Sequence, residues 1–374
     1  MKIALITPIE ETTPPIKYGG IEWVVYYLAH FAGKEGHEVH LLTAGNSLKE
    51  DYYKIVPITK ENIRSIKEIA LNLKLREVVK FTSLFKAAKY LRENKFDIIH
   101  NHAGWRFLLF QELFNKKFLT TLHGPLHLDY QNYVFRKYKD SLYVSISDNQ
   151  RKDLPILNFI ATVYNGIDPN DFPFAPKPKD NYLLFFARFS PEKNPVEAIQ
   201  AALETKKPIK IGAKIDKVDL DYFNKHKSLL ENKLVEFAGE VGKKDKPDFY
   251  QNAKALISPI NWEEPFGLMF IEAMASGTPV ISYARGAAPE IIKDGETGFL
   301  INQTEKDKRG NWVIKETGKK GLIEAVKRIY NMPEEQYLQM RKNCREHFLK
   351  NFTAQKMVSN YLEIYKKIVN DTTR

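Results

Sequence analysis

The feature that most constrains the fold is an alternation of strand-like and helix-like periodicity in the first half of the chain. Residues 2–7 and 38–43 are short apolar runs, as in buried strands, and between them apolar residues recur at helical spacing over 21–33. A strand, a helix and a second strand in this order build a parallel sheet with a right-handed crossover. The alternation therefore predicts an α/β domain.

The alternation continues along the first half and begins again in the second. Between the two series, residues 169–180 contain four prolines, which is typical of a semi-rigid linker. At 374 residues the chain is also longer than one core normally serves. We therefore expect two domains, 1–168 and 181–351, and a C-terminal helical segment, 352–374. The further predicted strands are 96–100, 118–122, 142–146, 161–164, 182–187, 209–212, 235–239, 255–258 and 279–282.

Composition excludes several classes of protein. Cys344 is the only cysteine, which rules out an intramolecular disulfide and a cysteine-rich zinc site. There is no run of about eighteen apolar residues, so no transmembrane helix is expected, and the N-terminal apolar run is too short for a secretory signal. The resulting expectation is a cytoplasmic location, with the inner face of the membrane left open.

The net charge of +11 is compatible with two kinds of anionic partner, nucleic acid and a membrane surface. Nucleic acid is disfavoured, because the lysines are interspersed with acids and neither an RNP-like nor a zinc-finger motif is present. Residues 60–95 are lysine-rich with apolar residues at helical spacing, which favours helices with a solvated face over a core stripe. A peripheral membrane contact stays open for the cations of this stretch, namely Lys74, Arg76, Lys80, Lys86 and Lys89.

Residues 262–282 combine two carboxylates with a glycine at the predicted start of a short apolar helix. Glu264 lies in the loop before this helix, and Glu272 lies within it among Met, Phe, Ile and Ala. A buried carboxylate without a partner is costly, so Glu272 needs either an arginine of the protein or the hydroxyls of a ligand. Gly267 lets a ligand approach the backbone N–H groups of the helix start, which favour an anion. The segment is therefore suited to a sugar nucleotide.

Three further groups follow predicted strands of the first half. Gly19 and Gly20 stand between the first strand and the first helix, where backbone N–H groups can approach a phosphate. They do not form a Gly-x-Gly-x-x-Gly fingerprint, so nicotinamide dinucleotide binding is disfavoured. His102 and His123 follow two other strands. Because ligands of open parallel sheets collect outside the carboxyl ends of the strands, both histidines are well placed to contact a ligand.

A basic pair follows the first strand of the second half. Arg188 can fork two phosphate oxygens, and Lys193 supplies a compact positive charge, so together they could neutralise a diphosphate in place of a metal ion. An Asp-x-Asp at 219–221 would suit a metal-dependent transferase of another fold. It lies among polar residues before a helix rather than at a strand end, and we interpret it as surface.

Taken together, these residues resemble the retaining family 4 glycosyltransferases of the GT-B fold, the glycosyl transferases group 1. The resemblance covers essentially the whole chain. It implies an α/β protein of two Rossmann-like, doubly wound domains that face a central cleft, with a C-terminal helix that crosses back to the first domain. It implies neither a metal nor a cofactor. The matching elements are Arg188-x4-Lys193, Glu264-x7-Glu272, Gly19-Gly20, His123-Gly124 and Asn165-Gly166-Ile167-Asp168.

The resemblance also implies roles on the donor side of a transfer reaction. Glu272 would bind the ribose hydroxyls of the donor nucleotide, and Glu264 would face the O3 and O4 hydroxyls of the donor sugar. Arg188 and Lys193 would hold the diphosphate and stabilise the leaving group. The other donor-binding residues that it implies are Gly19, Gly20, Phe266, Gly267 and Leu268.

On the first-domain side, His123 would lie by the O6 and the reacting carbon of the transferred sugar, and His102 and Asp148 would line the entry of the acceptor. The implied partners are a nucleotide sugar, with UDP more usual than GDP, and a hydroxyl acceptor. A glycan, a lipid-linked sugar and a small molecule all remain open as acceptors. The alternative is a basic protein that binds a membrane surface or nucleic acid without catalysis. A phosphorylase of similar fold would need pyridoxal phosphate, for which the sequence offers no site.

Overall fold

The computed structural model describes residues 1–16, 19–114 and 117–371, so Tyr18, which precedes Gly19 and Gly20, lies outside the described residues. Contacts divide the chain into two compact units. The first contains Met1–Ile167 together with Ala354–Arg374, and the second contains Asp168–Thr353.

Within the described residues, the first unit is built on a seven-stranded parallel sheet in the order β3-β2-β1-β4-β5-β6-β7. Because β1 pairs with both β2 and β4, the strand order reverses beside β1, which is where doubly wound sheets bind ligands. The strands are β1 (Lys2–Ile6), β2 (Glu38–Ala44), β3 (Lys54–Thr59), β4 (Ile98–Asn101), β5 (Phe118–Leu122), β6 (Leu142–Ser145) and β7 (Phe159–Thr162). The helices before residue 168 are α1 (Gly20–Lys34), α2 (Lys67–Leu71), α3 (Leu73–Glu93), α4 (Trp105–Leu108), α5 (Asp129–Lys137) and α6 (Asp148–Arg151).

The second unit repeats this plan with a six-stranded parallel sheet in the order β10-β9-β8-β11-β12-β13, again counted over the described residues. The strands are β8 (Tyr182–Phe186), β9 (Ile209–Gly212), β10 (Val235–Gly239), β11 (Ala253–Ser258), β12 (Val280–Tyr283) and β13 (Gly298–Ile301). The helices are α7 (Pro195–Glu204), α8 (Leu220–His226), α9 (Lys246–Asn252), α10 (Leu268–Ala275), α11 (Ala288–Ile291), α12 (Gly318–Tyr330) and α13 (Glu334–Asn351). The prediction of two Rossmann-like α/β units is confirmed.

The last helix, α14 (Ala354–Asn370), returns to the first unit and packs against α1. Its buried face includes Met357, Tyr361 and Tyr365, while the lysines Lys356, Lys366 and Lys367 lie outside that face. An amphipathic stripe of this kind needs an apolar surface to cover, and α1 supplies one with residues such as Val24 and Leu28. The C-terminal helix is therefore part of the first unit's core.

The proline-rich segment 169–180 belongs to the second unit. The ring of Phe172 is buried and lies 6.0 Å from that of Tyr250, and Arg341 donates hydrogen bonds to the carbonyl of Ala175 at 2.9 and 3.0 Å. The segment is thus fixed on that unit by side-chain burial and by backbone hydrogen bonds.

The cations of residues 60–95 do not form one free basic face. Arg76 and Lys80 both pair with Glu10, at 2.9 and 2.6 Å, so these two are part of an ion-pair network of the first unit. Lys86 and Lys89 are exposed on α3. Among the described helices, none is sufficiently long and apolar to cross a bilayer.

Candidate active site

The two motif segments of the second unit meet because they follow neighbouring strands. The loop after β8 carries Arg188 and Lys193, the loop after β11 carries Glu264, and β8 pairs with β11. The Lys193 ammonium forms an ion pair with the Glu264 carboxylate, and the two residues are only 9% and 8% exposed. Interpreted alone, the basic loop could have been an ordinary charged surface loop. The burial of Lys193 shows that it is not.

Two further contacts fix this buried ion pair. The indole N–H of Trp262 donates to Glu264 Oε2 at 2.9 Å, and Lys193 Nζ lies 5.2 Å from the centre of the Trp262 ring. The backbone N–H of Asn261 donates to the carbonyl of Glu192 at 2.7 Å, which joins the two loops directly. A cation over an aromatic face is stabilised by the ring quadrupole, so Trp262 supports both members of the pair.

Arg188 is held by two aspartates. Its Nη1 lies 3.1 Å from Asp219 Oδ2 and 3.8 Å from Asp216 Oδ2. The interpretation of 219–221 as surface was therefore wrong for Asp219, which is buried against the arginine, although Asp221 is exposed. Burial raises the pKa of Asp219, while Arg188 acts in the opposite direction. Asp219 thus serves as a counter-ion that orients the guanidinium.

Glu272 has partners within the protein, but not the arginine that was one of the expected alternatives. Its Oε1 accepts from Lys246 Nζ at 2.5 Å, and its Oε2 accepts from the Tyr250 hydroxyl at 2.8 Å. Both partners lie on α9, and Glu272 itself lies on α10 and is 6% exposed. An ionised carboxylate has about four acceptor sites, so about two remain for a ligand.

The start of α10 is shaped by Gly267. This residue has φ +90°, and a Cβ on it would lie 2.7 Å from the ring of Phe270. Leu268 is the first residue of the helix. Phe266, which is among the residues expected to bind the donor, is 2% exposed, and its ring lies 6.2 Å from that of Phe352.

Glu263 ties the same segment to the loops that follow β12 and β13. It accepts from Arg285 Nη2 at 2.8 Å, from Arg309 Nη1 at 2.7 Å and from the backbone N–H of Gly286 at 2.8 Å. Burial disfavours the charged form, but these donors lower the pKa of Glu263 to about 2. Glu263 is therefore ionised across the physiological range, and it fixes the loop in which Glu264 lies.

In the first unit, Gly19 is the N-cap of α1 and is closely surrounded by other residues. A Cβ on Gly19 would lie 2.8 Å from Pro15 Cβ and 3.0 Å from Glu22 Oε2, so the backbone can take this path only with glycine there. Gly20 begins the helix. Glu22, in the first turn, is buried, and burial raises its pKa to about 7. Its neighbours Glu10 and Glu11 raise the pKa further, while Arg64 lowers it.

Three histidines form a hydrogen-bonded chain at the carboxyl ends of β4 and β5. His102 Nδ1 lies 2.8 Å from His123 Nε2, and His102 Nε2 lies 3.1 Å from His100 Nδ1. Burial lowers the pKa of His123 to about 3. Burial, reinforced by the neighbouring histidines, holds the pKa of His100 and of His102 well below the usual value. All three rings are therefore neutral at physiological pH.

The structure separates the two residues expected on the acceptor side. His102 is 1% exposed and lies behind His123, so it cannot line an open entry, because its two ring nitrogens are already engaged by His100 and His123. Asp148 is exposed at the start of α6 and accepts from the hydroxyl of Thr162 at 2.5 Å. Of the two, only Asp148 is accessible to a ligand.

Gln150, which sequence reasoning missed, fixes the turn that carries His123. Its side-chain amide donates to the carbonyls of Leu122 and Gly124 at 2.9 and 2.8 Å, and its Oε1 accepts from the backbone N–H of Ile146. Lys246, Tyr250 and the role of Asp219 were also missed, because each acts through a tertiary contact. A lone Lys or Tyr carries no spacing signal, and the Asp-x-Asp spacing does not indicate a partner for Arg188. No group of three His, Cys, Asp or Glu residues in the described part of the chain is arranged to hold a metal ion.

Each of the two units matches the model of a known protein family. The family model described as Glycosyl transferases group 1 matches residues 167–347, and the model described as Glycosyltransferase Family 4 matches residues 18–171. Together the two matches run from residue 18 to residue 347, which includes every motif considered above but neither β1 nor α14.

Individual proteins show the same similarity. The N-acetyl-alpha-D-glucosaminyl L-malate synthase of Bacillus anthracis is 26% identical over 390 aligned positions, which cover 94% of this chain and 95% of that one. Sucrose-phosphate synthase from Thermosynechococcus elongatus superposes with a TM-score of 0.78 at 19% identity, over 98% of this chain and 99% of the other. The Anabaena protein HepE, solved with UDP and glucose, gives a TM-score of 0.73 at 17% identity, over 98% and 99% of the two chains. At these identities the two structures establish the shared fold.

Proposed function

The chain belongs to the glycosyl transferases group 1, and from this premise we propose that it moves a sugar from a nucleoside diphosphate to an acceptor hydroxyl with retention of anomeric configuration. The observation that carries the proposal is the buried Lys193–Glu264 ion pair in the loops after β8 and β11. Arg188 and Glu272 extend these loops with one more cation and one more carboxylate. Cations suit a diphosphate, and carboxylates suit the hydroxyls of the sugar and the ribose on either side of it.

In this proposal the ion pair opens when the donor binds. Lys193 exchanges Glu264 for a phosphate oxygen, and Glu264 exchanges the ammonium for sugar hydroxyls. Neither charge is left buried without a partner, which is the condition under which such an exchange is inexpensive. Arg188 keeps Asp219 as its counter-ion and turns its remaining guanidinium N–H groups to the diphosphate.

The transfer step then depends on electrostatics. As the bond between the sugar and the diphosphate breaks, negative charge grows on the leaving oxygen, and Arg188 and Lys193 stabilise it. The leaving phosphate oxygen takes the proton of the acceptor hydroxyl on the same face of the sugar, so retention needs no separate protein base. We propose that no metal ion takes part. UDP is the favoured carrier, since HepE, of similar fold, has been solved with UDP-glucose; a GDP-sugar is the other candidate.

The experiment is donor hydrolysis and transfer across a panel of UDP- and GDP-sugars, with the anomer of the product read by NMR. Turnover should survive a chelator, and Arg188→Ala should lower kcat by roughly 100-fold, as for other preorganised charges. Arg328→Ala, an exposed arginine on α12, is the matched control and should leave kcat unchanged. Unchanged turnover in Arg188→Ala, or an inverted anomer, would overturn the assignment.

A lipid-borne acceptor is the second part of the proposal. Leu75, Val78 and Phe85 share one face of α3, and Val78 and Phe85 are 60% and 62% exposed, with Lys86 and Lys89 alongside. An exposed apolar stripe flanked by lysines suits an anionic membrane surface. Sedimentation with anionic vesicles should fall in Phe85→Ser and be unaffected by Leu349→Ser, an exposed apolar residue on α13. Equal binding by both variants would remove the membrane from the proposal.

A further inference from the structure

The hydrogen-bonded chain that begins at His123 ends on the C-terminal helix. His100 Nδ1 lies 2.6 Å from the Tyr365 hydroxyl, and His100 Nε2 lies 2.8 Å from Thr121 Oγ1. Thr121 Oγ1 in turn lies 3.0 Å from the hydroxyl of Tyr361. The buried residues of α14 therefore contact the polar chain of the first unit as well as its apolar core.

We infer that Tyr365 is a positioning residue that fixes the tautomer of His123 through His100 and His102. The inference about the tautomer concerns the first unit alone. Its consequence for sugar transfer rests on the proposed function, in which His123 contacts the transferred sugar.

The three hydrogen-bonded histidines can arrange their ring protons in only two orders along the row. A neutral imidazole has one N–H and one lone pair, so each ring that donates at one nitrogen must accept at the other. Since burial keeps all three rings neutral, the state of His100 sets that of His102, and His102 sets that of His123. Fixing any one link thus fixes them all.

The link between Tyr365 and His100 selects the order. Burial raises the pKa of Tyr365, so its hydroxyl keeps its proton, and a phenolic O–H is a stronger donor than a neutral imidazole N–H. Among the described residues, His100 Nδ1 is the acceptor within reach of that hydroxyl. Their distance of 2.6 Å is the shortest among the hydrogen bonds that join the three histidines to one another, to Tyr365 and to Thr121. Tyr365 therefore donates to His100 Nδ1, and His100 Nε2–H donates to Thr121.

The rest of the order follows ring by ring. Because His100 Nδ1 carries no proton, an unprotonated His102 Nε2 would bring two lone pairs together across the 3.1 Å contact. His102 Nε2 therefore carries the proton and directs it at His100 Nδ1, as a second and longer donor beside Tyr365. His102 Nδ1 then holds a lone pair and accepts from His123 Nε2–H at 2.8 Å. His123 is left with a lone pair on Nδ1. In the described structure no other hydrogen bond engages that nitrogen, so it is available to a ligand hydroxyl.

This order gives His123 a defined chemistry. An unprotonated Nδ1 accepts a hydrogen bond from a sugar hydroxyl, and with a pKa of about 3 the ring does not donate from that nitrogen at neutral pH. A carboxylate in the same place would meet a lone pair and be repelled. The preferred donor is therefore a neutral hexose that presents a hydroxyl to His123, and the corresponding uronic acid is excluded.

Nitrogen-15 NMR of the histidine-labelled full-length protein tests the inference, with the His123 signals assigned from a His123→Asn variant. In the wild type at pH 7, His123 Nδ1 should show the shift of an unprotonated nitrogen. Tyr365→Phe should convert part or all of His123 to the Nδ1–H tautomer and lower kcat about 10- to 100-fold, as losses of groups that orient functional histidines do. Tyr361→Phe, one step further along the chain, is the matched control and should preserve the tautomer.

A protonated Nδ1 in the wild type would overturn the inference, and so would equal tautomers in Tyr365→Phe and Tyr361→Phe. If Tyr365→Phe does not fold, Thr121→Val serves instead, because it removes the acceptor of His100 Nε2–H and should shift the tautomer of His123 in the same direction. An unchanged His123 tautomer in Thr121→Val would also refute the coupling through His100 and His102. A shifted tautomer with unchanged transfer would uphold the positioning by Tyr365 and refute the contact of His123 with the transferred sugar.

Discussion

Replacing Glu272 by glutamine tests whether this carboxylate binds the ribose of the donor. Its two oxygens accept from Lys246 and Tyr250, at 2.5 and 2.8 Å. Both donors lie on α9. Glutamine has nearly the same shape but only one acceptor oxygen and no charge. The change therefore removes acceptor capacity without opening a cavity.

The size of the effect follows from counting hydrogen bonds. A carboxylate has about four acceptor sites, of which Lys246 and Tyr250 occupy two, so two ribose hydroxyls can be bound. Hydrogen bonds to a charged group contribute about 1.5–3 kcal/mol each, and neutral ones about 0.5–1.5. Glutamine can keep at most one of the ribose bonds, as a neutral one. At the lower limit two charged bonds contribute about 3 kcal/mol and the retained neutral bond about 1, so we expect a loss of at least about 2 kcal/mol, which is an increase in Kd of about 30-fold or more.

Isothermal titration calorimetry with two ligands isolates the ribose contact. UDP and 2′,3′-dideoxy-UDP differ only in the two hydroxyls that Glu272 is proposed to bind. The wild type should prefer UDP, and in Glu272→Gln this preference should be about 30-fold smaller, with at most the preference that one neutral hydrogen bond gives. Glu335→Gln, an exposed carboxylate on α13, should behave as the wild type does. If Glu272→Gln weakened both ligands by the same factor, the residue would act by placing Lys246, and the ribose assignment would be wrong.

Two further predictions concern stability. Arg341 is fully buried and donates to the carbonyls of Ala175, Gln251 and Ala253; Arg341→Ala should lower the free energy of unfolding by about 3–5 kcal/mol in denaturant titration, and a loss below about 1 kcal/mol would contradict this. For Glu22, the folded protein holds its proton to about pH 7, whereas the unfolded chain releases it near 4.5. The free energy of unfolding should therefore fall as pH rises between these values, and Glu22→Gln should remove that part of the fall in a pH series of thermal melts. Identical pH profiles for wild type and variant would show that Glu22 is not protonated in the fold.

The sequence predicts the two sheets well because interior strands are short apolar runs between helices of clear period. The two strands that it missed, β3 and β13, lie at the edges of their sheets. β3 contains Pro57, which lacks a backbone N–H and is tolerated at an edge but weakens the strand signal of the sequence. β13 has four residues, all of them buried, and follows a glycine-containing turn. A short apolar run of this kind cannot be identified as a strand by periodicity alone.

In the candidate site, sequence spacing reveals the charged residues of the motif, and only the packing of the fold reveals their partners. Spacing identified Arg188, Lys193, Glu264 and Glu272 because two carboxylates and two cations near strand ends are unusual for a core. Their partners lie at unrelated sequence distances, 31 residues from Arg188 to Asp219 and 26 from Glu272 to Lys246. The pairings depend on which helix covers which strand end, and no local pattern encodes that.

Those pairings also explain how Lys193, Glu264 and Glu272 can be buried although they are charged. Lys193 with Glu264, Lys246 with Glu272 and Asp219 with Arg188 are three ion pairs. Both members of the first pair belong to the motif, whereas Lys246 and Asp219 are partners from outside it. A buried charge without a partner is far more costly than a buried pair, and the protein supplies these counter-ions itself. A diphosphate flanked by hydroxyls could replace only the pair in which both members belong to the motif. Asp219 and Lys246 would remain in place, and this is why the Lys193–Glu264 pair, rather than either of the others, is the one that we expect to open.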